Sequence, residues 1–483
     1  MRKLIDRVTY NTAVQFIGKA IVGLSGLVLL SLLTRNLGES GYGAYVIIFT
    51  WLIILKVFAD LGLYMTGVRE LSSTSADQTE IAGNLLLLKL ISGLVVIIIS
   101  LIVIVFMPYD QRVKAGILIG LSSLLALTVA DAFKTIFQAR LKMHLSVIGE
   151  IARALLTLIL SFAVLRMGWG LCAVIAAAAA GSVLNLFLHI WFSRRFIRVR
   201  LRFDRRVARS LFHGALPLGL SGIMAIIYFR VDLLMLSHMK PLEDVGIYGA
   251  AYQVVEISSV VPTLFLRTIF PLFTRAIKEC DNTLTQLYDR TFSFITNLAV
   301  PMLFGGLILA GPLMILIAGQ DFRIYQTFDM PLLGMVDVDA IGITFRTLLV
   351  ATMLMFWGQL NGHLMIAGNM QKKLLKIYFV LVPANIILNL VLIPRYSYLG
   401  AATTTLITEV VALSYSTIVI ARGLGQLPRA KKLIQAVVAS IPMAVIVWWL
   451  DLHVVVLIGF GAACYFLVLR LVGGTVGITE HRA

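Results

Sequence analysis

Fourteen segments of this chain are apolar for long enough to cross a bilayer, and that leaves few ways to fold it. A crossing helix needs about 20 mostly apolar residues, with about 17 as the lower limit. The segments are Val14–Thr34, Tyr42–Met65, Leu85–Met107, Ala115–Phe133, Ser146–Leu165, Trp169–Phe192, Leu211–Ser237, Ile247–Leu272, Phe292–Ile317, Ala340–Ile366, Ile377–Ile393, Leu399–Ala421, Leu433–Leu450 and His453–Leu469. Of 483 residues, 59% are hydrophobic and only 13% charged, where a soluble domain carries about a quarter. The chain therefore reads as an all-α polytopic membrane protein of about 14 transmembrane helices. Its net charge of +17 does not argue for nucleic acid as a partner, because the basic residues punctuate apolar spans. Cys172, Cys280 and Cys464 are too far apart for a disulfide or metal pattern. The basic start MRKLIDR precedes an apolar segment too long for a signal sequence, so it opens the first span.

Loop charge sets the expected orientation. With the N-terminus inside, inner segments hold 27 Lys and Arg and outer loops hold 7. An even number of spans then puts both termini in the cytoplasm of a multi-pass inner-membrane protein. The densest inner loop is Ser193–Arg209, with eight arginines and the single acid Asp204. It divides the chain into two similar halves. LGESGYGAY at 37–45 matches LEDVGIYGAAY at 242–252, and a weaker echo links GWGLCAVIA at 168–176 with LGAATTTLI at 399–407. Long repeats about a charged loop suggest a secondary transporter. The expected organisation is an N-lobe over 1–192, a basic linker over 193–210, a C-lobe over 211–422 and a hairpin with its tail over 423–483. These make two pseudo-symmetric six-helix bundles plus a C-terminal helical hairpin. The loop near 319–339 suggests a short amphipathic surface helix.

Charges inside the spans are the candidate chemistry, since one at the bilayer centre costs roughly 2.5–3.5 kcal/mol. Lys89, Arg153 and Arg346 lie within two turns of a span end, where long stems can snorkel, and are read mainly as anchors. Asn11, Gln15 and Lys19 form an i, i+4, i+8 stripe. Lys56 stands four residues before Asp60, at ion-pair spacing. Either that pair is structural, or Lys19 and Lys56 present positive charge to a phosphate or diphosphate in a central cavity. Arg230 and Asp232 point to different sides of the seventh span. Glu256, Ser259, Thr263 and Arg267 share one polar face of the eighth, which Tyr248 and Tyr252 extend outward. Glu409 is an isolated carboxylate in the twelfth span, suited to a proton or a cation. Asn385 and Asn389 suggest bonding between helices, and Gly358–Gly362 suggests helix packing.

Other signals carry less. Asp337 and Asp339 have the DxD form but sit where an acid caps a helix, on the outer side. The seven histidines have no ligand spacing, so no metal is expected, and no phosphate-binding loop for ATP is present.

The motifs TRNLGESGYGAY, FADLGLYMTGVREL, FQARLKMH, YFRVDLLMLSHM and VGIYGAAYQV resemble those of oligosaccharide flippases, the polysaccharide biosynthesis membrane proteins of the multidrug/oligosaccharidyl-lipid/polysaccharide (MOP) exporter superfamily. The resemblance is clearest over about 1–300. It implies a MATE-like pair of six-helix bundles around a cavity that opens to one side at a time. It further implies transport, without covalent chemistry or a cofactor, of a polyprenyl-diphosphate-linked oligosaccharide from the inner to the outer leaflet. By span, Lys19, Lys56 and Arg267 occupy places comparable to basic residues that relatives use near a lipid head group. On this reading Lys19, Lys56, Arg230 and Arg267 offset the diphosphate charge. Asp60, Glu256 or Glu409 takes up H⁺ or Na⁺, and Asn11, Gln15, Tyr252, Ser259 and Thr263 line the cavity. Partners would be the lipid-linked glycan, membrane lipids, and a polysaccharide polymerase or glycosyltransferases. The last two spans resemble the lipid II flippase branch, where such a hairpin extends a groove for the lipid tail. The rival readings are a lipid II flippase, a cation-coupled multidrug antiporter, which should favour an acidic cavity, and a membrane glycan polymerase, which should carry a larger outer loop.

Overall fold

The computed structural model of the protein describes residues 2–72, 78–197, 199, 203–279, 283–330 and 334–473. Cys280, Arg482 and three arginines of the basic loop, Arg198, Arg200 and Arg202, lie outside the described residues. The first elements are α1 (Arg2–Asp60), α2 (Leu63–Leu71), α3 (Gln78–Phe106), α4 (Gln111–Ala139), α5 (Met143–Arg166), α6 (Gly170–Ser193) and α7 (Arg205–Met239). There follow α8 (Leu242–Ser258), α9 (Val260–Glu279), α10 (Thr283–Ala318), strands β1 (Tyr325–Met330) and β2 (Gly334–Asp339), α11 (Ala340–Ala367), α12 (Gln371–Leu424), α13 (Ala430–Trp449) and α14 (Val454–Leu471).

Twelve helical segments of the described residues are long and apolar enough to cross a membrane, α8 and α9 counting as one. A continuous helix of 54 residues such as α12 would run about 80 Å, far more than the roughly 30 Å of hydrocarbon. Both α1 and α12 contain a break that resolves this. Gly38 takes φ 67° and ψ −172°, and Ser397 takes φ 47° and ψ −127°. Each long helix is thus two crossings, and the fourteen expected spans are accounted for. Within the eighth, Pro262 lacks the N–H that the Ser258 carbonyl would accept from, so the helix is interrupted between α8 and α9.

The chain groups into two compact units, Met1–Gly246 and Ile247–Ala483. The divide falls after α7 and not in the basic linker, because α7 packs on α1, α2 and α3. Leu211 and Ala215 of α7 share a core with Leu63 and Leu71 of α2, Ile81 and Leu85 of α3, and Phe133 and Ile136 of α4. At the other end of α7, Ser237 lies 2.9 Å from the Tyr109 hydroxyl, which also accepts from Trp51 Nε1. Burial pushes the Tyr109 phenol above its ordinary range, and these two hydrogen bonds offset only part of that rise. The turn after α1 explains one glycine. Leu61 and Gly62 both have positive φ, and Gly62 seats on the α7 backbone, where a Cβ would come 2.7 Å from the Gly219 nitrogen. The two matching motifs also meet in this unit: a Cβ on Gly43 would overlap the Leu242 carbonyl, and one on Gly246 that of Glu39.

In the second unit Leu266 and Phe273 of α9, Phe292 and Ile295 of α10, Phe356 and Leu360 of α11 and Ile420 of α12 form the main core. The C-terminal hairpin adds a smaller one, with Met443 and Val447 of α13 and Tyr465 of α14 against Leu309 of α10. The expected surface helix near 319–339 is a β-hairpin instead. Tyr325 pairs with Asp339 and Thr327 with Asp337, whose side chains also hydrogen-bond. The period-2 alternation of TFDM at 327–330 and VDVD at 336–339 favours strands, and Tyr398 of α12 donates to Gln326 at 2.7 Å. Asp339 occupies the N-cap position of α11, but its side chain makes no cap hydrogen bond.

Candidate functional site

Inside the first unit, four lysines and three carboxylates from α1, α3, α4 and α5 form one electrostatic network. Lys19 of α1 lies 2.9 Å from Glu150 of α5, and Lys134 of α4 lies 2.7 Å from the other oxygen of the same carboxylate. Lys56 of α1 pairs with Asp131 of α4 at 3.2 Å. Asp131 also lies within electrostatic reach of Lys134, one turn away, and of Lys89 of α3. Lys89 pairs with Asp60 at 2.5 Å. The Tyr64 ring centroid is 6.0 Å from the Lys134 ammonium, and its hydroxyl bonds the Gln138 side chain.

Three expectations need correction here. Lys56 and Asp60 do not pair with each other, although the spacing allows it. Asp60 is the last residue of α1, where the chain turns through Leu61 and Gly62, and its carboxylate also accepts from the Tyr64 N–H at 3.3 Å. Each residue finds its partner on a neighbouring helix. Lys89 does not snorkel, since its side chain is 0% exposed and it is sealed in by Asp60. Asn11 does not face open space: it is buried and donates to the Leu141 carbonyl at 2.5 Å, tying α1 to the turn after α4, while Gln15 bonds the Asn11 carbonyl at 3.2 Å. The lysines thus fall into two kinds. Lys19 and Lys56 keep 44% and 38% of their side chains open, whereas the Lys89 side chain is enclosed.

The remaining candidates are more scattered. Arg230 and Asp232 are both buried, and Asp232 accepts from the Leu233 N–H at 2.8 Å. In the second unit Glu256 and Arg267 are exposed, and Arg267 is within electrostatic reach of His363. The Ser259 hydroxyl bonds the Val255 carbonyl at 3.1 Å, and Thr263 lies 2.9 Å from Gln359 Oε1. Tyr252 is buried, its ring 5.8 Å from that of Tyr248, so it stacks within the unit. Glu409 is buried, facing Gly358 and within electrostatic reach of Tyr378. Asn389 bonds Asn385 along the same helix at 2.8 Å, and not across helices as expected. Arg346 donates to the Leu307 carbonyl at 2.9 Å, which uses its guanidinium inside the protein. Among the described residues no group of three His, Cys, Asp or Glu is placed to hold a metal ion.

The second unit also holds a cavity of about 400 Å³ between α8, α10, α11, α13 and α14. Leu309, Leu349, Met443, Val447, Leu457 and Phe466 are among its lining residues. Its polar members are already engaged: Tyr465 donates to Asn297 at 3.4 Å and Ser258 to the Val255 carbonyl at 2.7 Å.

Residues 8–277 match the family model described as polysaccharide biosynthesis protein. The chain belongs to that family. Two curated relatives are from Haloferax volcanii. The probable flippase AglR is 23% identical over 55% of this chain and 55% of its own length, so the match spans about half of that relative. The probable low-salt glycan biosynthesis flippase Agl15 is 22% identical over 83% of this chain and 79% of its own. Among solved structures, the lipid II flippase MurJ in an inward closed conformation superposes with a TM-score of 0.76 at 14% identity, covering 96% of this chain and 98% of that one. An inward-facing MATE family multidrug transporter of the MOP superfamily gives 0.65 at 13% identity, over 84% and 96%. The family member described here thus has the MOP transporter fold.

Sequence reasoning missed Asp131, Lys134 and Glu150. Lys134 falls at the ragged end of an apolar segment and counts as a loop charge there. The available signal was the i, i+3 spacing of Asp131 and Lys134 at the inner end of the fourth span, with a lone acid near the same end of the fifth.

Proposed function

We propose that this protein is a flippase that carries a polyprenyl-diphosphate-linked oligosaccharide from the inner to the outer leaflet of the cytoplasmic membrane, with both termini in the cytoplasm. The observation that carries the reading is the lysine-rich network that α1, α3, α4 and α5 bring together inside the first unit. Every lysine in it already has a carboxylate, so its positive charge is held in reserve. An arriving diphosphate exchanges with Glu150 for Lys19 and Lys134, and with Asp131 for Lys56. The exchange keeps each ammonium paired at every stage, which avoids the cost of an unpaired charge in a low-dielectric interior. It also explains how one site both binds and releases a multiply charged group. Arg230 and Arg267 would meet the diphosphate during passage. Asp60, Glu256 and Glu409 are the coupling candidates for H⁺ or Na⁺ named by sequence. The cavity beside α13 and α14 has the chemistry to hold isoprene units, since its polar groups are satisfied and its wall is hydrocarbon. No covalent step is needed. A polymerase or glycosyltransferases would act on either side of the transport step.

The test is flipping in proteoliposomes with an undecaprenyl-diphosphate-linked sugar. Replacing both Lys19 and Lys56 by Ala should lower the rate at least tenfold at unchanged expression and fold. An undiminished rate would remove the lysine network from the mechanism. A second reading is favoured by the C-terminal hairpin and the near full-length match to the lipid II flippase fold: lipid II itself as cargo. Competition between lipid II and an undecaprenyl-diphosphate trisaccharide in the same assay separates the two. The multidrug reading fares worse, because four lysines against three carboxylates suit anions better than organic cations.

A further inference from the structure

One buried titratable side chain next to this network has no role in the mechanism above. His189 of α6 is 1% exposed. Its Nδ1 lies 2.8 Å from the Asn185 carbonyl. A carbonyl only accepts, so Nδ1 carries the proton and, in neutral imidazole, Nε2 is left as an acceptor. Nε2 lies 3.3 Å from the Ser146 hydroxyl, and that hydroxyl lies 3.4 Å from Glu150 Oε1. Ser146 is itself fully buried. Gly149 makes the arrangement possible, because a Cβ there would stand 2.7 Å from the His189 ring. Phe137 of α4 closes another side, its ring centroid 5.5 Å from the imidazole. The charged groups that reach His189 are Glu150 of α5 and Lys134 and Asp131 of α4. Lys19 of α1 acts on Glu150.

We propose that His189, Ser146 and Glu150 form a proton-binding site that loads and unloads as the lysines exchange between Glu150 and an anionic head group. The inference rests on the head-group reading above for its partner, and on the donor and acceptor geometry for the site itself. When Lys19 and Lys134 move to a phosphate, Glu150 loses both counter-charges and takes a proton from water through its exposed edge. The Ser146 hydroxyl then gives its hydrogen to Nε2 while accepting the proton of Glu150. One O–H bond breaks and one N–H bond forms at the imidazole side, and one O–H bond breaks as another forms at the carboxyl side. The result is imidazolium, an intact serine and a carboxylate ready to recover its lysines. Reversing the two transfers returns the proton. The proton therefore has two seats, and its position decides whether Glu150 competes for the lysines or leaves them to the cargo.

Two measurements on the full-length protein in nanodiscs test this. Without ligand, the infrared band of the protonated carboxyl group is titrated with pH. The band should vanish in E150Q, and its midpoint should move in S146A and in H189Q. Identical midpoints in wild type, S146A and H189Q would overturn the proton site, whatever the cargo. With geranylgeranyl diphosphate as probe, calorimetry in buffers of different ionisation enthalpy reads the protons taken up on binding. Uptake approaching one per diphosphate is expected in wild type, with at least a twofold smaller value in S146A and H189Q and none in E150Q. Equal uptake in all four proteins would overturn the coupling. If the carboxyl midpoints move as expected but the probe fails to bind at any pH, the site stands and the head-group reading falls.

Discussion

Between α4 and α5 the first unit keeps Glu150 spanned by two lysines. Between α10, α13 and α14 the second keeps a cavity of about 400 Å³ with a hydrocarbon wall. Both interiors are built from helices of similar hydropathy, yet one spends its polar residues on charge and the other ties them off against each other. The contrast implies different penalties for mutation, since removing one partner of a buried ion pair strands a charge, whereas trimming an apolar wall only changes volume.

The largest expected effect lies in the charged unit. Lys89→Ala should destabilise the protein by about 3–5 kcal/mol, read by thermal unfolding in detergent. Lys89→Met combined with Asp60→Asn should recover most of that loss. A mild single variant would show that the Lys89 pair is not sealed. Next comes the apolar unit, where Met443→Ala enlarges an existing cavity and should cost about 2 kcal/mol, the low end for such truncations. A loss as large as that of Lys89→Ala would erase the contrast. Gly461 lines the same cavity, so Gly461→Phe should fill it once Val447, 3.0 Å from a Cβ there, gives way. Flipping of an undecaprenyl-linked cargo should fall several-fold while a short-chain prenyl analogue is spared, and equal losses would separate the cavity from the tail. The smallest effect belongs to neither interior. Arg275 and Glu279 pair at 2.7 Å on an exposed helix face, and Arg275→Ala should leave the unfolding temperature within error.

The same contrast explains what could be read from the sequence. Apolar length is a local property, so all fourteen crossings and the C-terminal hairpin were legible, including the two that Gly38 and Ser397 separate within single long helices. Charge pairing is a property of neighbours in space. Lys19 stood out by its polar stripe with Asn11 and Gln15, and Lys56 by its place in an apolar span with Asp60 one turn on, but their partners, Glu150 and Asp131, come from helices more than 70 positions away. Local spacing pointed instead to Lys56 with Asp60, whereas Lys56 pairs with Asp131 of α4 and Asp60 with Lys89 of α3. Lys89 was misread for a related reason: depth along a helix says nothing about which side of it faces lipid. The hairpin at 325–339 was missed because a loop flanked by long helices suggested helix, against its own alternation.

The seat of Gly62 on α7 has a consequence for biogenesis. The turn closing α1 and the inner face of α2 are covered by Leu211, Ala215 and Gly219, which are synthesised roughly 150 residues later. A nascent chain halted at Ser193 would hold six crossings and still leave that surface bare. Assembly of the first unit must therefore wait for the seventh segment to leave the ribosome, and quality-control factors that survey unfinished membrane proteins would find their target in this interval.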